Sequence, residues 1–296
     1  MFKKILVPLD GSDAAEAILP FAQEVAATCG AELLLVTAVQ QVGVWDATLS
    51  LQVMDKEEAT AAEYLADQAA KLGGKANTSV VQGDAAEAIL SAADNEKVYL
   101  IAISTHGRSG LRRFLFGSVA TKLLEAAKAP VLFLRPKEGE DKGAPGPVVK
   151  KILVPLDGSD VAMSVMPTVE QFAKTMGASL VLFHAVAPLL SYPGFEGAAV
   201  AALNTATDEL QSQAREILGR AAAAAKSRGI EATTIVTLNT AVDGILQAGD
   251  DAKVDLIAIG THGRGGLRRM VLGSVTDGVV RRSADIPCLV IRSSEG

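Results

Sequence analysis

The strongest constraint on the fold is an internal repeat. The eleven residues KKILVPLDGSD at 3–13 return letter for letter at 150–160, an offset of 147. A second block, THGR, stands at 105–108 and returns at 261–264, an offset of 156. The chain is therefore two copies of one unit, with nine additional residues between the blocks of the second copy. The segment 188–197 (PLLSYPGFEG), rich in proline and glycine, is the expected home of that insertion. Between the copies a charged stretch rich in glycine and proline ends at Pro147 and reads as a linker. The expected organisation is a first domain at 1–137, a linker at 138–147 and a second domain at 148–296. Two copies do not make a solenoid, whose repeats need at least three to bury a continuous core.

Each copy alternates strand and helix. In the first, the leucine-rich and β-branched runs 4–9 and 32–39 read as strands on either side of a helical stretch at 14–28. A longer helix, 55–72, precedes a short strand at 78–81, and Asp84 caps a helix running to 93 because its side chain accepts from free first-turn amides. The nearly continuous apolar run 98–103 is what a strand covered on both faces requires. A helix at 118–128 and a strand at 131–134 close the unit. Strands alternating with helices imply a mostly parallel sheet with right-handed crossovers. The predicted fold class is α/β: two tandem doubly wound domains, each a five-stranded mostly parallel sheet with helices on both faces. Such sheets bind ligands beyond the carboxyl ends of their strands, where the strand order reverses. Both repeated blocks fall at strand ends.

Composition narrows the function. Apolar residues at 49% and charged residues at 21% suffice for a proper core. Aromatics at 4% leave little material for stacking single-stranded bases, and a net charge of −6 lacks the basic surplus of a polyanion binder, so nucleic acid is not an expected partner. The chain meets an aspartate and a turn within ten residues and has no run of membrane-spanning length, so no membrane partner is expected. Two cysteines form no disulfide framework, and a reducing, cytoplasmic location is the expectation.

The second block carries the chemistry. In the second copy it reads GTHGRGGLRRMVLGSV from Gly260 to Val275, after one apolar run and before a helix. Glycines allow close approach of backbone amides and positive φ, and a helix opening at Gly273-Ser274 presents unpaired amides to an anion. Arg264, Arg268 and Arg269 lie between these glycines without any acid, and the first copy repeats them as Arg108, Arg112 and Arg113. Amides, a hydroxyl and local positive charge suit a polyphosphate; the alternative is a glycine turn with a solvated basic face. Neither G-x-x-x-x-G-K-[ST] nor a G-x-G-x-x-G after the first strand is present. His106 and His262 read as strand-end donors, and His184, whose counterpart is Thr37, as local packing. Cys29 matches Met176 and Cys288 matches Val131, so both thiols read as core filler, and no cluster has metal-ligand spacing. Asp10 and Asp157 end the first strands; as alternatives to a ligand role they cap the next helix or accept a phosphoryl group, although no acidic cluster for Mg²⁺ accompanies them.

Taken together these residues resemble the universal stress protein family in its tandem, UspA-type form. The family's nucleotide-binding members carry Gly, two residues, Gly, nine residues, then Gly-Ser or Gly-Thr, and Gly260, Gly263, Gly273 and Ser274 fit that spacing. The opening strand ending in an aspartate matches twice, and the resemblance covers the chain outside the linker. It implies ATP, with or without Mg²⁺, in each intact domain. By carry-over, Pro155 and Asp157 contact the adenine side together with Ala185 and Val186. Amides of Gly260, Gly263 and Val275 hold the phosphates beside Gly273 and the Ser274 hydroxyl, with Arg264 as charge partner. The equivalents in the first copy are Pro8, Asp10, Ala38, Val39, Gly107, Arg108, Gly117, Ser118 and Val119. That copy departs at Ser104, where the motif's first glycine belongs. An added Cβ that resists positive φ predicts obstruction there and tighter binding in the second domain. The resemblance implies a nucleotide-dependent regulatory module in stress response, with a slow ATPase or phosphotransferase and a non-binding scaffold as alternatives. The phosphate loop offers no carboxylate to orient water, so turnover is expected to be slow or absent. In the family the last strand pairs two domains, which implies an intramolecular pseudo-dimer here and, beyond it, a homodimer of whole chains.

Overall fold

A computed structural model describes residues 3–40, 47–104, 117–135, 148–189, 197–261, 272–283 and 285–293. The chain divides into two compact units that part between Val148 and Val149. The residues expected to form the linker, 138–147, lie outside the described residues, as does 190–196, where most of the insertion was expected.

The first unit runs β1 (Lys4–Pro8), α1 (Asp13–Glu16), α2 (Leu19–Cys29), β2 (Glu32–Val39), α3 (Ala47–Lys71), β3 (Ala76–Gln82), α4 (Ala85–Asn95), β4 (Leu100–Ser104), α5 (Ser118–Ala126) and β5 (Val131–Leu134). The second repeats it as β6 (Lys151–Pro155), α6 (Asp160–Ser164), α7 (Met166–Met176), β7 (Ser179–Val186), α8 (Ala198–Ser227), β8 (Ala232–Leu238), α9 (Ala241–Asp251), β9 (Leu256–Thr261), α10 (Ser274–Arg282) and β10 (Cys288–Arg292). Strand order is β3-β2-β1-β4-β5 in the first unit and β8-β7-β6-β9-β10 in the second. The pairings within each unit are parallel. This is the doubly wound α/β fold expected from the sequence.

The central strands are buried on both faces, which is why they read as unbroken apolar runs rather than alternating ones. Ile5, Leu6 and Val7 of β1, Leu33 to Val36 of β2 and Leu100 to Ile103 of β4 are all buried. At about 1.5–3 kcal/mol for each large side chain, these layers are the main favourable term in each domain.

Two expectations need correction. The single helix at 14–28 is two helices, because Pro20 near the start of α2 has no N–H to continue α1 and its ring crowds the carbonyl four residues back. Pro167 does the same between α6 and α7. The helix expected from 55 begins by Ala47, since no glycine or proline interrupts the stretch before the first charged residue, Asp55.

The strand order reverses between β1 and β4 and again between β6 and β9. Each of these pairs shares only two registers, Ile5↔Leu100 with Leu6↔Ile101 and Ile152↔Leu256 with Leu153↔Ile257. Beyond them the strands are unpaired with one another, and the sheet opens a crevice at its carboxyl edge. A cavity of about 110 Å³ lies at the opposite end of the first unit, between α4 and α5, lined by Leu90, Ala93, Val98, Ile101 and Ala129, among others.

Candidate functional site

The first wall of each crevice is the turn after β1 or β6. Pro8 and Pro155 end their strands, and the next residues return to the sheet through Leu9 N–H to Val36 O and Leu156 N–H to Phe183 O, both 2.8 Å. Asp10 Oδ1 then accepts from Ser12 N–H at 3.0 Å and from its hydroxyl at 2.6 Å, while Ser12 Oγ accepts from Ala15 N–H. Asp157 holds Ser159 in the same way at 2.9 and 2.6 Å, and Ser159 caps α6 through Ala162 N–H. The serine is thus the helix cap and the aspartate braces it. Gly11 and Gly158 make this turn possible at φ of +79° and +82°, where a side chain is strained. Burial pushes the Asp157 carboxyl up, but the two bonds from Ser159, a backbone amide bond at Asp157 itself and a smaller pull from His184 together outweigh it, and the group lies below the ordinary carboxylate range. It is an anion at neutral pH.

The second wall is the end of β2 or β7. Ala38 and Ala185 are half-buried, and Val39 and Val186 are buried. Thr37 precedes them and donates its hydroxyl to Leu9 O at 2.9 Å. His184 replaces it in the second domain, and its Nδ1 is buried without a partner among the described residues.

The third wall is the end of β4 or β9 and the start of α5 or α10. Gly117 and Gly273 are the N-caps and supply no side-chain acceptor, whereas Ser12, Asp84, Ser159 and Thr240 cap α1, α4, α6 and α9 through their side chains. The first intrahelical bonds are Thr121 N–H to Gly117 O and Asp277 N–H to Gly273 O. The amides of Ser118, Val119 and Ala120, and of Ser274, Val275 and Thr276, precede them and carry the positive end of the helix dipole. Gly107, Arg108, Gly263 and Arg264 lie outside the described residues.

The reason expected for the first motif glycine is corrected by its surroundings. Gly260 is not among the residues with positive φ. It sits in β9 opposite Ile291, and a Cβ there would stand 2.7 Å from Val165 Cγ1 and 3.4 Å from the Val161 carbonyl oxygen. Space, not backbone conformation, calls for glycine. Ser104 occupies the same place in β4, opposite Leu134, with its Oγ buried and unpartnered among the described residues.

Two features went unread in the sequence. Thr276 reaches from α10 to Gly260 O at 2.7 Å. In the first domain Tyr64 and Gln68 of α3 both donate to Glu16 Oε1, at 3.0 and 2.9 Å. Burial, reinforced by Glu16, pushes the Tyr64 phenol well above its ordinary range. The second copy has Met163, Arg220 and Ala224 at these three places, and Ile217 instead lies over Gly158, 2.8 Å from where a Cβ would stand. Comparing the two copies position by position is the signal that finds both. Among the described residues no group of three His, Cys, Asp or Glu is placed to hold a metal ion, and no helix is long and apolar enough to cross a membrane.

Duplicated doubly wound sheets, each reversing its strand order beside a glycine-capped helix, define the class: a tandem α/β protein. The universal stress protein family model matches residues 1–135 and 149–292, and the chain belongs to that family. A universal stress protein of Mycobacterium tuberculosis is 29% identical over 199 residues, which cover 66% of this chain and 62% of the relative. The match thus spans less than two thirds of that protein's length. Another, from Mycolicibacterium smegmatis, is 24% identical over 298 residues, covering 97% of this chain and 96% of its own. The crystal structure of a universal stress protein from Archaeoglobus fulgidus has a TM-score of 0.72 at 20% identity, covering 99% of this chain and 100% of that one. At that identity the likeness is one of fold.

Proposed function

We propose that the protein is an ATP-binding universal stress protein, a cytoplasmic regulatory module whose nucleotide occupancy alters its stability and the surface it offers to partners. The observation that carries this reading is the glycine-capped start of α10, which leaves first-turn amides without a side-chain acceptor at the mouth of the β6/β9 crevice. These amides suit terminal phosphate oxygens, with Gly260, Gly263, Arg264, Gly273, Ser274 and Val275 on that side. Pro155, Asp157, Ala185 and Val186 face the nucleoside. The ionised Asp157 suits ribose hydroxyl or base N–H donors. Pro8, Asp10, Ala38, Val39, Gly107, Arg108, Gly117, Ser118 and Val119 form the corresponding set in the first domain, which binds more weakly.

A ligand taken up only by the folded state stabilises it by about 2.7 kcal/mol at roughly 100 times its dissociation constant, so occupancy regulates without chemistry. Slow hydrolysis is the second reading, favoured only if turnover persists in purified protein and one side-chain change abolishes it. Pairing of the two domains within the chain, and of chains as a homodimer, belongs to the same proposal, with light scattering as the test of the homodimer.

The deciding experiment is calorimetric titration of nucleotide-stripped full-length protein with Mg-ATP. Two sites of equal affinity per chain make the domains functional equals. One site, lost on Asp157→Ala, assigns binding to the second domain. Absence of binding refutes the proposal in favour of a scaffold.

A further inference from the structure

We infer that Thr276 is a positioning residue for the anion at the second site, its hydroxyl latching the end of β9 to the first turn of α10. The inference rests on the nucleotide reading above. Thr276 is 3% exposed, and its Oγ–H donates to the Gly260 carbonyl at 2.7 Å. On the β10 side of β9, Ile257 N–H bonds to Pro287 O and Ser293 N–H to Thr261 O. Backbone groups of alternate residues point to opposite sides of a strand, so Gly260 O points away from β10, toward β6. Pairing with β6 stops at Leu153↔Ile257, so no strand is there to receive that carbonyl. Thr276 receives it instead, inside the crevice.

The latch fixes the distance between the end of β9 and the start of α10, and with it the direction in which the amides of Ser274, Val275 and Thr276 point relative to the strand. A cradle held before the ligand arrives binds more tightly, because less freedom is lost on binding.

The first domain lacks this latch. Ala120 stands where Thr276 stands in the second copy, and the hydroxyl is on the strand instead, as Ser104, whose Oγ has no partner among the described residues. The same two positions thus carry a Gly/Thr pair in one domain and a Ser/Ala pair in the other.

The test is Mg-ATP titration of the full chain, with the second site identified by its loss in Asp157→Ala. Thr276→Val, which keeps the shape and removes the hydroxyl, is expected to weaken that site about five- to tenfold, the worth of one net hydrogen bond. Thr276→Ser, which keeps the hydroxyl, is expected to stay within about twofold of native. In the first domain, Ser104→Gly/Ala120→Thr is expected to bind more tightly than Ser104→Gly alone. Native affinity in Thr276→Val overturns the latch and leaves the nucleotide reading standing; a native chain that takes up no Mg-ATP overturns both. If Thr276→Val loses hydrogen-exchange protection across β9 and α10, the first-domain pair decides, and equal affinities there overturn the inference.

Discussion

Gly260→Ala is expected to destabilise the second domain, and the cause is a single contact. The new methyl would sit 2.7 Å from Val165 Cγ1 and 3.4 Å from the Val161 carbonyl oxygen, where carbon atoms prefer about 3.5–4.0 Å. Val165 has no exposed surface and is the residue at which α6 ends and α7 begins, so it cannot swing aside without moving both helices. Overpacking of this kind costs about 1–3 kcal/mol. Against it stands about 0.5–1 kcal/mol returned because alanine has less freedom than glycine to lose in a strand. The net is roughly 0.5–2 kcal/mol, or about 2–6 °C in the melting temperature of a domain this size. Hydrogen exchange of β9 amides in the full chain reads the effect locally, without assuming that both domains melt together. The decisive comparison is Val165→Ala. If crowding is the cause, the double variant is more stable than the two single losses predict, by about 1 kcal/mol. Strict additivity, or a Gly260→Ala variant as stable as native, refutes the steric argument and returns the explanation to backbone conformation.

The cavity between α4 and α5 should be fillable. In the second domain Ile286 occupies the corresponding place, 2.9 Å from where a Cβ on Gly249 would stand, while the first domain has Ala129 and Ala93. Ala129→Ile is expected to stabilise the first domain, by about 1 kcal/mol, only when combined with Ala93→Gly, as read by denaturant midpoint. Asp157 contributes stability that is fully present above the ordinary carboxylate pKa and lost as pH falls through its depressed folded value. Ser159→Ala should raise that pKa, measured by carboxyl-carbon NMR titration, and an unchanged midpoint contradicts the role given to Ser159. Burial pushes the Cys29 thiol up to about 11, and Cys288 is fully buried, so both are expected to resist alkylation at neutral pH until the chain unfolds. Rapid labelling of native protein excludes that expectation.

Much of this protein was legible before any coordinates. The exact return of KKILVPLDGSD required two like domains, and the burial of β1, β2 and β4 on both faces forced apolar runs that announce a parallel sheet. The Gly-Ser pairs were readable as helix starts because helix termini are local affairs, settled by residues a turn apart. The break between α1 and α2 was equally local, yet the expectation of one helix at 14–28 passed over Pro20, the residue that marks it.

What the sequence could not decide were relations between elements far apart along the chain. That Gly260 is glycine for want of room depends on Val165, 95 positions away, being packed against it by the crossover of α6 and α7. That Thr276 matters depends on β9 and β6 parting before Gly260, which leaves a carbonyl for a helix to claim. Tyr64 and Glu16 meet only because α3 folds back over the turn after β1. Local preference is written residue by residue, whereas steric room and an unclaimed hydrogen-bonding group exist only once the chain has closed on itself.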